Sequence, residues 1–195
     1  MTDKSIYTEN DKKEEVRNFT ISILSENSIG LLHSITIIFT RRKVNIESIN
    51  ASDSEVMGVY RYTIVIKTTR SMAEKVVKQI EKLVDVLACF LYEEEQIHYQ
   101  ELALYKISKK IIDLNPEIME IINNHGAKIL PTEYDYEYTL FEKAGNRESN
   151  RKLLKSLETY GVSEFVSSGR IAVSKSKRET ITLLNQLETS DCNKL

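Results

Sequence analysis

FTISILSENSIGLLHSITIIFTRRKVNIESINA, residues Phe19 to Ala51, decides how this chain folds. Phe19, Ile21 and Ile23 alternate with Thr20 and Ser22, the period of a half-buried strand. Glu26, Asn27, Ser28, Ile29 and Gly30 interrupt that period. Leu31, Leu32, Ile35, Ile38 and Phe39 then recur at helical spacing and define one apolar face. Val44, Ile46 and Ile49 begin a second extended run. A glycine-containing loop that feeds a helix presents unpaired backbone N–H groups and the positive end of the helix dipole, which together suit a carboxylate.

Working outward, Tyr60, Tyr62, Ile64 and Ile66 share one face of a strand over 58–67, and Arg61, Thr63, Val65 and Lys67 the other. Val76, Val77, Ile80, Leu83 and Val84 predict a helix over 71–84, and residues 85–93 a fourth strand. The order is βαββαβ, a ferredoxin-like split unit: an antiparallel sheet with both helices on one face. The other face must be solvated or covered by a partner. EEEQIHYQ, 93–100, reads as a polar connector, after which ELALYKI, 101–107, restarts the order. Asn115-Pro116-Glu117 has the form of a helix start, with Asn115 as the cap, and Gly126 that of its stop. Strands are expected over 127–133 and 136–142 around an Asp-containing turn. A helix over 151–160, with Leu153, Leu154 and Leu157 inward, should end at Gly161. A last strand falls within 162–173, with Gly169 at a bulge or turn. The fold class is α+β, two ferredoxin-like units in tandem. The organisation is a flexible tail at 1–17, domains at 18–95 and 96–175, and a tail at 176–195, where RETITLLNQLE could form a short helix.

Composition narrows function. Twenty-seven basic against 29 acidic side chains leave a net charge of -2, no basis for a nucleic-acid partner. Arg41, Arg42 and Lys43 are a short cluster suited to a helix C-terminus. No run of 18 apolar residues predicts a membrane span, and the N-terminus lacks a secretory or transit pattern. Cys89 sits in the apolar run VLACFLY and Cys192 in a polar tail, so no disulfide scaffold is expected, in keeping with a reducing cytoplasm. His33, His98 and His125 have no metal-ligand spacing, and Glu47 has no partner that would make it catalytic. Tyr134, Tyr136 and Tyr138 share one face of an extended run, which suits a packed strand better than a base-stacking platform at this charge. Nucleophile-elbow, phosphate-loop and dinucleotide patterns are absent. On spacing alone, Asn27 caps the helix and Gly30 permits the turn.

ENSIGLL followed by FTRRKVNIES resembles the signature of the ACT domain in the regulatory (small) subunit of acetohydroxyacid synthase, or acetolactate synthase. Asn27, Gly30, Leu32, Phe39, Arg42, Asn45, Ile46, Glu47 and Ser48 keep that pattern. Lys43 stands where the family usually has Gly, and Ser34 where Arg is common. YRYTIVI, LVDVLACFLYEE, ELALYKI and GVSEFVSSGRIAVSK follow in the family's order, so the likeness spans roughly Asn18 to Lys175. The resemblance implies that the first domain is an ACT domain that pairs with a second copy. It implies a branched-chain amino-acid effector, usually valine, held between two such domains. Asn27 and the backbone N–H groups of Ile29, Gly30 and Leu31 would receive it, with Asn45 supplied by the neighbouring subunit. A lysine at position 43 would need negative φ or carry strain.

The chain would then perform no chemistry and carry no cofactor. Thiamine diphosphate, Mg and FAD would belong to a separate catalytic (large) subunit, a transferase of valine, leucine and isoleucine biosynthesis in a bacterial cytoplasm. This chain would activate that subunit and confer feedback inhibition. A free-standing ACT-type sensor regulating another protein, or a paralogue that keeps the fold and has lost the effector, are the alternatives.

Overall fold

A computed structural model describes residues 15–131, 137–176, 180 and 182. Two compact units divide the chain: 1–97 together with 174–195, and 98–173.

The first unit runs β1 (Arg17–Glu26), α1 (Leu31–Arg41), β2 (Ile46–Asp53), β3 (Val59–Thr68), α2 (Arg70–Ile80) and β4 (Val86–Tyr92). Its strands lie in the order β2-β3-β1-β4. Each neighbouring pair is antiparallel. Register explains the core. Phe19, Ile21 and Ile23 pair with Ile66, Ile64 and Tyr62, so all six side chains point to one face. Leu31, Ile35 and Phe39 from α1, and Ala73, Val76, Val77 and Ile80 from α2, close over that face. Cys89 joins them, and its burial pushes the thiol up to about 12, the behaviour of a small apolar side chain rather than a reactive one. Cys192 lies outside the described residues.

α2 stops at Ile80, short of the expected end. Leu83 still packs on the core, but Val84 is 97% exposed. Its spacing is helical, yet the chain has already turned toward β4, with the Leu83 carbonyl accepting from the Val86 N–H at 3.1 Å. The helix-free face also departs from expectation. Thr20, Leu24, Thr63 and Val65 are each 5% exposed or less, although none belongs to the helix-side core.

The second unit repeats the plan. β5 (Ile97–Ser108) opens 80 residues after β1 does, followed by α3 (Lys109–Leu114), α4 (Glu117–Asn124), β6 (Lys128–Leu130), β7 (Tyr138–Gly145), α5 (Arg147–Leu157), β8 (Val162–Ser167) and β9 (Ile171–Ser174). The order β6-β7-β5-β8 matches the first sheet, and β9 adds to β5. β5 takes in the second half of the supposed polar connector, because Ile97 is buried. Only Glu94–Gln96 remains as a helical turn. α3 was not legible in the sequence, and Asn115 belongs to its end. The Asn115 side chain donates to the Ile111 carbonyl at 2.7 Å, while Pro116 takes the cap position of α4 with no side-chain bond. α5 begins earlier than expected, at Arg147, where the Asn146 side chain accepts from the Ser149 N–H at 2.7 Å.

Tyr105, Phe141, Ile118, Ile122, Leu153 and Leu157 form the second core. Leu154 is half-buried against it. Gly169 lies between β8 and β9, as a turn would require. The Asp-containing turn, Tyr134, Tyr136 and most of RETITLLNQLE lie outside the described residues; Tyr138 is half-buried at the start of β7 with Lys106 Nζ 4.4 Å from its ring centre.

Candidate functional site

The loop between β1 and α1 has an unusual local economy. β1 ends at Glu26, whose N–H donates to the Asp85 carbonyl at 3.0 Å, and the chain then leaves the sheet. Gly30 occupies the N-cap of α1 at φ 87, a left-handed conformation that glycine adopts without strain. A Cβ there would meet nothing within 4 Å, so the backbone angle and not crowding selects glycine.

No side chain caps α1, and no acid sits in its first turn. The reading of Asn27 as the cap is therefore overturned: it is exposed, and the loop carries Gly30 into the position it would have filled. Ile29 is fully exposed beside it. Leu31 is anchored in the core, and its N–H makes a long bond of 3.4 Å to the Ser28 carbonyl. Ser34, where the resemblance has arginine, bends its hydroxyl back to the Gly30 carbonyl at 3.4 Å. The result is an uncapped helix N-terminus flanked by an exposed amide side chain and an exposed isoleucine. A carboxylate finds donors and a favourable dipole there, and an aliphatic side chain finds an apolar neighbour.

Asn45 is not part of this cluster. β1 and β2 both pair with β3: Glu26 sits opposite Val59 at one end, and Ile46 opposite Ile66 at the other. Seven residues of strand separate them, about 23 Å at the usual rise. Asn45, exposed at the far end, donates from Nδ2 to Glu47 Oε1 at 3.3 Å. Glu47 lies on β2, an edge strand. Within one chain, the structure brings Asn27, Ile29, Gly30 and Leu31 together and leaves Asn45 at the opposite end of the sheet.

The turn before Asn45 carries a second feature. The Lys43 N–H donates to the Thr40 carbonyl and the Val44 N–H to the Phe39 carbonyl, both at 3.0 Å, the paired bonds of a Schellman stop. Lys43 takes φ 54, the one positive φ at a non-glycine among the described residues. The strained alternative is the one adopted, because the two bonds require a left-handed residue. Arg41 lies in the last turn of α1, and Arg42 caps its end with Nε donating to Gln79 Oε1 at 3.1 Å. Among the described residues no group of three His, Cys, Asp or Glu side chains is placed to hold a metal ion. No helix among them is long and apolar enough to cross a membrane.

Comparison with known proteins reaches both units. A model described as the AHAS small subunit-like ACT domain matches residues 21–88, and one described as the small subunit of acetolactate synthase matches 100–176. The acetolactate synthase small subunit of Mycolicibacterium smegmatis is 33% identical over 159 residues, 82% of this chain and 92% of that protein. This chain belongs to the acetolactate synthase small-subunit family. A probable small subunit from Methanothermobacter thermautotrophicus is 30% identical over 81% of this chain and 93% of its own length. The crystal structure of the Thermotoga maritima small subunit superposes with a TM-score of 0.73 at 26% identity, covering 83% of this chain and 99% of that one. The tandem α+β architecture and the ACT character of the first unit stand on these matches as well as on the strand order. The second of these family matches ends at residue 176.

Proposed function

We propose that this protein is the non-catalytic regulatory subunit of acetolactate synthase in branched-chain amino-acid biosynthesis. It binds a catalytic large subunit that holds thiamine diphosphate, Mg and FAD, raises that subunit's activity, and makes it responsive to valine or a related amino acid. The observation that carries the effector reading is the uncapped start of α1 at Gly30, with Asn27 and Ile29 exposed beside it. The amino acid's carboxylate would accept from the N–H groups around Ile29, Gly30 and Leu31. Its side chain would lie against Ile29, and its ammonium would be met by side-chain and backbone carbonyl oxygens.

The separation of Asn27 from Asn45 supports a site completed by a second copy. A two-fold pair of first units would carry two equivalent sites, each with Asn27 from one protomer and Asn45 from the other. Binding then acts as linkage: the effector favours whichever arrangement of the pair holds both asparagines on it, and the catalytic subunit senses that arrangement.

The test is complementation. Asn27→Ala and Asn45→Ala homodimers should each bind valine weakly by calorimetry. Mixed dimers of the two contain one site with both asparagines replaced and one intact site, so they should recover half the binding capacity at unaltered affinity. Mixed dimers that stay as weak as either parent would place both residues in one protomer's site or in none. Acetolactate formation with the large subunit, with and without valine, reads activation and inhibition separately. No stimulation of that activity by the unmodified chain would point to a sensor serving another protein.

A further inference from the structure

The residues of β1 that alternate with the core, Thr20, Ser22 and Leu24, pair with Val65, Thr63 and Arg61 on β3 and with Tyr92, Phe90 and Ala88 on β4. Helices do not cover this face, yet Leu24 is 2% and Val65 5% exposed in the single chain. The C-terminal segment touches it at two described points. Lys175 donates from its backbone N–H to the Gln96 carbonyl and from Nζ to the Glu95 carbonyl, each at 2.9 Å, just beyond the end of β4. A cleft of about 560 Å³ lies there, lined by Phe90, Tyr92, Gln96, Lys175 and Ser176 among others. The second point is Thr180, whose hydroxyl accepts from Arg61 Nη2 at 3.0 Å; the same nitrogen reaches Glu55 Oε2 at 3.0 Å.

These points mark opposite ends of the face. Tyr92 is level with Thr20, and Arg61 with Leu24, about 13 Å along β1, and their strands flank β1 on opposite sides about 10 Å apart, so the two points are about 16 Å from each other. The five residues from Lys175 to Thr180 can reach at most about 17 Å, so little slack is left for a path that avoids the face. Beyond Thr180 the sequence continues with Ile181, Leu183, Leu184 and Leu187, the apolar side chains such a face would accept.

We propose that the chain beyond β9, anchored at Lys175 and Thr180, is the built-in occupant of the helix-free face of the first sheet. The segment after Ser176 lies past the end of the family match, whereas Lys175 lies within it.

Methyl spectra of selectively labelled protein test it, with the Leu24 and Val65 resonances as reporters. In the full chain, Thr180→Val should shift both, because the Arg61 bond is lost. Ending the chain after Ser176 should shift them further in the same direction, and a peptide of residues 177–195 added in excess should return them. The Ile35 and Ile80 methyls, in the helix-side core of the first unit, serve as the folding control; if the shortened chain fails that control, the full-length Thr180→Val protein decides alone. Reporter resonances unchanged in the variant and in the shortened chain would overturn the proposal. Shifts that follow protein concentration and ignore the truncation would make a second copy the occupant, and would overturn it equally.

Discussion

The two units share a strand order and differ in how they close. In the first, α1 starts from an exposed glycine with no side chain on its free amides, and the core beneath is apolar. In the second, the space between β5 and α5 is closed by polar bonds: Tyr105 Oη donates to the Asn150 carbonyl at 2.7 Å, and Asn150 Nδ2 to the Glu101 carbonyl at 3.2 Å. Lys143, also buried, donates to the His125 carbonyl at 2.7 Å. Glu101 is buried with them. A ferredoxin-like unit therefore tolerates either an open helix start or buried polar groups bonded across its own elements, although Asn150 Oδ1 is buried there without a hydrogen-bond partner among the described residues. The first unit leaves the N–H groups of its α1 start at the surface, where water or an effector can meet them; the second uses the Tyr105, Asn150 and Lys143 donors to hold its own elements together.

The sharpest way to break this comparison is to fill the open end. Gly30→Asp puts a negative charge and a Cβ at the helix start. Valine affinity should fall at or beyond the roughly 150-fold upper end expected for losing polar contacts, whereas Asn27→Ala should cost about 5- to 150-fold. Calorimetry checks both, and thermal melting should show Asn27→Ala within about 0.5 kcal/mol of the parent, as for an exposed residue. Equal melting losses from Asn27→Ala and from a buried partner would erase the distinction between the units.

The matching change in the second unit is Asn150→Ala. It leaves the Glu101 carbonyl without its donor in a buried place and should destabilise by about 1–3 kcal/mol in urea unfolding, with valine binding retained. A comparable loss is expected from Gly145→Ala, whose Cβ would lie 3.1 Å from Asn150 Oδ1.

A smaller contrast comes from the helix stops. α4 ends as α1 does: the Gly126 N–H donates to the Asn123 carbonyl and the Ala127 N–H to the Ile122 carbonyl, but here a glycine at φ 68 takes the left-handed position. Lys43→Gly should stabilise by about 1 kcal/mol and Gly126→Lys should destabilise by about 1–2 kcal/mol. Equal and negligible effects would mean that the left-handed residue carries no strain at either stop.

The smallest effect is expected at alkaline pH. Burial pushes the Tyr105 phenol up to about 12. The unfolded chain ionises near 10, so the stabilising preference for the neutral phenol is complete below pH 10 and is lost as pH rises toward 12. Tyr105→Phe should flatten that part of the stability profile while lowering stability at pH 7, where the bond to Asn150 is missing. An identical slope between pH 10 and 12 in the variant would assign the alkaline loss to other groups.

Much of this arrangement could be read from letters. Strict alternation from Phe19 to Ile23 and the helical spacing from Leu31 to Phe39 identified β1 and α1, because burying one face demands those periods. Gly30, Gly126 and Gly161 were readable because few residues other than glycine take the positive φ each one adopts. KKIIDL was not, since six residues offer less than two turns of periodicity and Ile111 and Ile112 are only half-buried. Val84 misled because periodicity reports which side chains would share a face while the helix lasts, and not where it ends.

For the candidate site, sequence alone supplied the residue types and the glycine at the helix start, since these depend on local backbone chemistry. It determined the two βαββαβ orders for the same reason: each element's period is set by its own hydrogen bonding. Only the tertiary structure decided that Asn27 leaves α1 uncapped, that Asn45 lies at the other end of the sheet, and that Leu24 and Val65 are buried on a face without helices. Those outcomes depend on strand register and on where distant segments return, and contacts between residues far apart in the chain leave no period for a reader to follow.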